Sequence, residues 1–80
     1  MTEKQILNEL ENIITPYLDN PCEIELHTDL FMDLAINSID FVSIITEIEG
    51  VFCCSISEEE MSSIRNIEDI MKYLMQSCTN

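Results

Sequence analysis

DLFMDLAINSIDFVSIITEIEG, residues 29–50, decides how this chain is read. Its first half is a loop of acids and apolar residues, and its second half is a helix that starts at Ser38. Asn37 is a favoured N-cap, and Asp40 stands at the third helical position, where a negative charge suits the positive end of the helix dipole. A hydroxyl at such a helix start is suited to hold an anion such as a phosphodiester. Spacing alone leaves a second reading open, in which Ser38 is an ordinary first-turn serine.

The periodicity that follows sharpens the choice. At about 100° per residue, Phe41, Ile44, Ile45, Ile48 and Phe52 share one face, with Val51 at its edge, and make a core stripe. Ile39 and Val42 fall on the opposite side, beside Ser38, with Ser43, Thr46 and Gly50. Two aliphatic residues on a face that belongs in water suggest a docking surface, flanked by the charges of Asp40, Glu47 and Glu49. Single exposed aliphatics are also common, so plain solvent exposure is the competing reading.

DLAINSID, followed by this apolar and acidic helix, resembles the phosphopantetheine attachment motif of acyl carrier proteins, D-L-G-x-D-S-L-D. The likeness runs on. Glu49–Gly50–Val51–Phe52 is similar to the family's acid–acid–x–Phe tail. Ile56, Ser57, Glu58, Glu59, Glu60 and Ile64 match its I-x-D/E-E-E-x-x-x-I segment without a gap, and Ile67 to Leu74 resembles its last helix. Essentially the whole chain is covered. Three positions depart from the motif: Asn37 replaces aspartate, Ile39 replaces leucine and Ala35 replaces glycine. Asparagine caps a helix as well as aspartate does but removes one charge. Isoleucine is stiffer at its first torsion. Ala35 gives up the freedom that glycine offers for positive φ or close approach of an enzyme.

The resemblance implies an all-α, four-helix bundle of the acyl-carrier-protein type, with three longer helices and one short one. It implies a carrier and not an enzyme, holding acyl intermediates as thioesters on a 4′-phosphopantetheine arm attached covalently to Ser38. The pathway would be fatty acid, polyketide or other specialised biosynthesis. Asn37, Ile39, Asp40, Val42, Ser43, Thr46, Glu47 and Glu49, joined by Glu59 and Ile64, are then the expected partner-binding surface. The partners would be a phosphopantetheinyl transferase and basic-surfaced acyl-transfer or condensing enzymes. Ser43 and Gly50 stand where the family often has acids, which favours a dedicated carrier over a housekeeping one. The alternatives are a peptidyl or aminoacyl carrier of a non-ribosomal pathway and an unmodified acidic protein-interaction module.

Composition agrees with a small helical domain. Eighty residues make a single domain, 1–80, too short for a second core. One glycine, two prolines and no tryptophan beside many Ile, Leu and Met favour helices over short strands. Three basic residues against sixteen acidic ones give a formal charge of −13. Such a chain repels itself, attracts basic partners and speeds their encounter. It has nothing to neutralise phosphates, which excludes nucleic acid, and anionic membranes are disfavoured for the same reason. Met1–Thr2–Glu3–Lys4 leads into a polar, acidic helix rather than the apolar core of a signal peptide, and no apolar run approaches the roughly 20 residues of a membrane span. A monomer in the cytoplasm is the expectation. Cys22, Cys53, Cys54 and Cys78 have neither disulfide nor zinc spacing, so reduced thiols and no metal site are expected.

Taken in order, Thr2 and Gln5 form a capping box that opens helix one, about residues 3–15, with Ile6, Leu7, Leu10, Ile13 and Ile14 on its apolar stripe and Leu18 a turn beyond. Pro16 should end or kink it near Thr15. A loop over 19–37 follows, punctuated by Asn20–Pro21 and pinned by Leu26, Leu30, Phe31 and Leu34. Its acids do not make a calcium loop, since a frame from Asp29 puts Leu34 where glycine is required. Helix two spans about 38–52. Ser57 and Glu60 repeat the capping box for a short helix over about 58–62. Asn66, with Asp69 at the third position, caps helix four, about 67–77. Its stripe is Ile67, Ile70, Met71, Leu74, Met75 and Cys78. The lone histidine, His27, has no nucleophile partner in view.

Overall fold

Local capping signals set where each helix begins. The computed structural model describes residues 2–19 and 23–77. Helix α1 spans Glu3–Ile14; the Thr2 hydroxyl accepts from the Gln5 N–H and the Gln5 side chain accepts from the Thr2 N–H. Pro16 has no N–H to extend the ladder, and the chain tightens into a 3-10 turn over Thr15–Tyr17. Helix α2 spans Ser38–Phe52, with the Asn37 side chain accepting from the Asp40 N–H at 2.8 Å. Helix α3 is a five-residue turn, Glu58–Ser62, opened by the reciprocal Ser57–Glu60 bonds. Helix α4 spans Ile67–Ser77, where Asn66 Oδ1 accepts from the Asp69 N–H at 2.8 Å. Among the described residues these four α-helices and no strand make an all-α bundle, and none of its helices is long and apolar enough to cross a membrane.

One face of each long helix is buried. Ile6, Leu10, Ile13 and Ile14 of α1 meet Phe41, Ile44, Ile45 and Ile48 of α2 and Ile67, Ile70, Met71 and Leu74 of α4 in one core. Helix α1 lies against both α2 and α4. Phe52 and Met75 were expected in the stripes, but Phe52 is only half-buried and Met75 is 38 % exposed. Both lie near the C-terminal end of their helices, and Phe52 still packs against the edge of the core. Val51 is exposed. Cys78, Cys22 and Asn20–Pro21 lie outside the described residues.

The connection before α2 is held by the core and by backbone bonds. Of its expected pins only Leu30 is fully buried; Leu26, Phe31 and Leu34 are half-buried against the core, and Ile24 and Ile36 are further buried apolar side chains, with Thr28 a buried polar one. Leu30 N–H donates to the Arg65 carbonyl at 2.8 Å, Ile67 N–H to Thr28 at 3.1 Å and Glu68 N–H to Leu26 at 2.8 Å. A lone antiparallel bridge between Asp29 and Asn66 completes this clasp. Its fixed points leave the loop little freedom just upstream of Ser38.

Candidate functional site

Ser38 is the first residue of α2 and is exposed. The loop that leads to it is organised by Asp29. One Asp29 carboxylate oxygen accepts from the Phe31 and Met32 N–H groups, each at 2.8 Å, while the Asp29 N–H donates to Asp33. Those bonds hold the Asp29 carboxyl below the ordinary carboxylate range, the Met32 N–H contributing most; partial burial opposes them, and the Phe31 N–H and the Arg65 charge assist. Arg65 lies 3.9 Å from Asp29 and 5.7 Å from the centre of the Phe31 ring. Phe31 in turn packs on Phe41 of α2, ring centres 5.1 Å apart. The loop then crosses Ala35 at φ 55°, a left-handed conformation that favours glycine. Ile36 N–H closes back on the Leu30 carbonyl at 3.0 Å, and Asn37 caps α2.

This end of the helix suits an anion. The first backbone N–H groups of a helix have no carbonyl one turn earlier to bind, and Asn37 takes up only that of Asp40 with its side chain. The N–H groups of Ser38 and Ile39 belong to that unfilled set, beside an exposed hydroxyl.

The expected partner-binding residues separate into four groups. Ile39 and Val42 are 79 % and 51 % exposed on the solvent side of α2. Asn37 and Thr46 are exposed there as well, although the Thr46 hydroxyl donates back to the Val42 carbonyl at 2.9 Å, and Asp40 and Ser43 are half-buried at the edge. Glu47 is exposed and Glu49 half-buried, and each accepts a hydrogen bond from another segment. Glu47 accepts from the Tyr17 hydroxyl, and Glu49 accepts from the Ile56 N–H at 2.7 Å. Glu59 is exposed on α3, its carbonyl receiving the Ser62 hydroxyl. Ile64 does not belong with them: it is 5 % exposed and sits in the core. The link after α3 turns it inward, and its N–H donates to the Met61 carbonyl.

Two residues at this site escaped the sequence reading. Tyr17 reaches α2 from a segment thirty residues earlier in the chain, which no local spacing marks. Met32 is 78 % exposed beside Phe31, and a large apolar residue between Phe31 and Asp33 in an acidic loop was its one available signal. Two surface hollows, one between α3 and α4 around Tyr73 and one beside Leu26, Met71 and Met75, have linings that leave out Ser38. Among the described residues no three His, Cys, Asp or Glu come together to hold a metal, and His27 is exposed 3.9 Å from Glu25.

Known proteins resemble this arrangement closely. The family model described as the phosphopantetheine attachment site matches residues 6–74. An acyl carrier protein of Phytoplasma mali is 40 % identical over 57 residues, covering 71 % of this chain and 68 % of that one. An acyl carrier protein of Coprothermobacter proteolyticus is 31 % identical over 75 residues, 92 % of each chain. The solved acyl carrier protein from Enterococcus faecalis superposes with a TM-score of 0.78 over 95 % of this chain and 98 % of its own, at 23 % identity, a likeness of fold.

Proposed function

The chain belongs to the acyl carrier proteins of the phosphopantetheine attachment-site family, and from that premise we propose that Ser38 is its attachment residue. Members of this family are carriers, not enzymes, and hold a covalent 4′-phosphopantetheine. The observation that carries the assignment to Ser38 is its place at the capped, exposed N-terminus of α2. There the Ser38 oxygen would form the phosphodiester, and the N–H groups of Ser38 and Ile39 would face its charge. When bound, the arm supplies a terminal thiol that carries acyl groups as thioesters. The protein's own residues anchor, present and steer. Tethering raises the local concentration of cargo at each enzyme in turn.

The partners in this reading are a phosphopantetheinyl transferase and acyl-transfer or condensing enzymes of fatty acid or polyketide assembly, meeting a cytoplasmic monomer. A charge of −13 draws basic surfaces toward it. Asn37, Ile39, Asp40, Val42, Ser43 and Thr46 surround Ser38 along the outer side of α2, with Glu59 further off on α3. The names of the relatives, all acyl carrier proteins, support acyl over aminoacyl cargo. Intact mass after incubation with coenzyme A and a broad-specificity transferase tests the assignment. The native chain is expected to gain one phosphopantetheine and Ser38→Ala none. A folded, initially unmodified native chain that gains nothing would sink it.

A further inference from the structure

Helix α2 has Ser38 at its first position and a thiol at its far end. Cys53 is its C-cap, where the chain turns left-handed and the Cys53 N–H donates to the Glu49 carbonyl. The two adjacent cysteines differ: Cys54 packs half-buried against the core, whereas Cys53 is an exposed free thiol. Between Ser38 and Cys53 the helix surface is open. At about 100° per residue, Val42, Thr46 and Cys53 fall within roughly 80° of Ser38, with Gly50 at about 120°, and all of them are exposed. The Thr46 hydroxyl is already engaged with the Val42 carbonyl, and a Cβ at Gly50 would meet nothing within 4 Å. Glu49 borders this lane but accepts from the Ile56 N–H, and Asp40 and Glu47 stand about halfway round the helix.

The length of the lane matches the arm. Helix α2 is 15 residues long, which sets Ser38 and Cys53 about 22 Å apart along its axis at ~1.5 Å per residue. Phosphopantetheine puts about fourteen bonds between the serine oxygen and its sulfur, roughly 17 Å when extended at the ~1.2 Å per bond of a stretched peptide chain. The Ser38 and Cys53 side chains and an S–S bond of about 2 Å supply the remainder. We propose that Cys53 is a redox latch for the arm: under oxidation it forms a disulfide with the arm's sulfur, which leaves no thiol to take an acyl group. The inference rests on Ser38 being the attachment residue. A low-molecular-weight disulfide is the oxidant. It exchanges with the arm's thiol and releases one small thiol. The Cys53 thiolate then attacks the arm's sulfur, the new S–S bond forms, and the second small thiolate leaves and takes up a proton. Two protein thiols thus lose two electrons and two protons, and one small disulfide becomes two small thiols. Tethering makes the second step intramolecular, so at micromolar protein it outruns capture by another chain.

The experiment incubates the armed chain at micromolar concentration with a glutathione buffer rich in the oxidised form, quenches with iodoacetamide and measures intact mass. Native, Cys53→Ser and Cys54→Ser chains are compared, with helical circular dichroism as the check that each is folded. Cleavage after glutamate cuts at Glu47 and Glu49, between the two ends of the lane, so a closed arm leaves the Ser38 and Cys53 peptides joined. The native chain is expected to close as a monomer and to reopen with dithiothreitol. Cys54→Ser should close to the native extent, and Cys53→Ser about tenfold less. An armed native chain that stays open, takes up only glutathione or links only to a second chain overturns the inference alone. So does closure that survives in Cys53→Ser or is lost in Cys54→Ser. A native chain that takes no arm at Ser38 overturns the attachment assignment and this inference together.

Discussion

Three residues before Ser38, Ala35 holds φ at 55°. A side chain in that region costs roughly 1–2 kcal/mol, part of which glycine gives back through its freer unfolded chain. Ala35→Gly is expected to stabilise the fold by a net 0.5–1 kcal/mol or so, read as a higher midpoint in urea; a lower midpoint would contradict the strain. The need for a special backbone at this position was legible, because alanine stands where the family's motif has glycine. Tyr17 was not legible, since its partner lies thirty residues away and only the folded chain brings them together. Its phenol is held neutral in the fold, so the stabilisation is fully present below the unfolded pKa near 10 and is lost as pH rises through the higher folded value. In a Tyr73→Phe background, ultraviolet titration should show Tyr17 ionising late, and Glu47→Gln should bring it earlier. Unchanged titration in Glu47→Gln would remove Glu47 as the cause.

At the scale of elements, α2 ends where Cys53 turns left-handed at φ 53° and the chain doubles back, bringing the Ile56 N–H to Glu49. That donor is partly buried, and leaving it without an acceptor costs about 1–2 kcal/mol. Glu49→Ala should lose that much in thermal or urea unfolding, while Glu49→Gln, which keeps an acceptor, should lose less than half of it; equal losses would point to charge instead. The helix starts were readable because each cap and its partner lie within three residues. Ile24, Ile36 and Ile64 were harder. They lie in connections, where no helical period says which way a side chain points, and the expectation of Ile64 on the surface failed for that reason.

For the molecule as a whole, sixteen acids against three basic residues make self-repulsion the main electrostatic term. Among the described residues the ion pairs do little to offset it, being largely exposed and no closer than 3.9 Å. Raising sodium chloride from low to physiological strength and beyond shortens the range of that repulsion, so the melting temperature should climb by several degrees. A flat or falling profile in calorimetry would mean that local pairing outweighs net charge. The sign of this effect follows from composition alone.

The clasp between the loop and the α3–α4 link has a mechanical consequence. Backbone bonds from Leu30 to Arg65 and from Ile67 and Glu68 to Thr28 and Leu26 tie the segment upstream of Ser38 to the start of α4, with Asp29 and Phe31 bracing it against Arg65 and Phe41. A chain so moored acts as a fixed pivot. The volume swept by anything tethered at Ser38 is then set by the tether's own length and the tumbling of the whole body, and the protein contributes a bearing with almost no play.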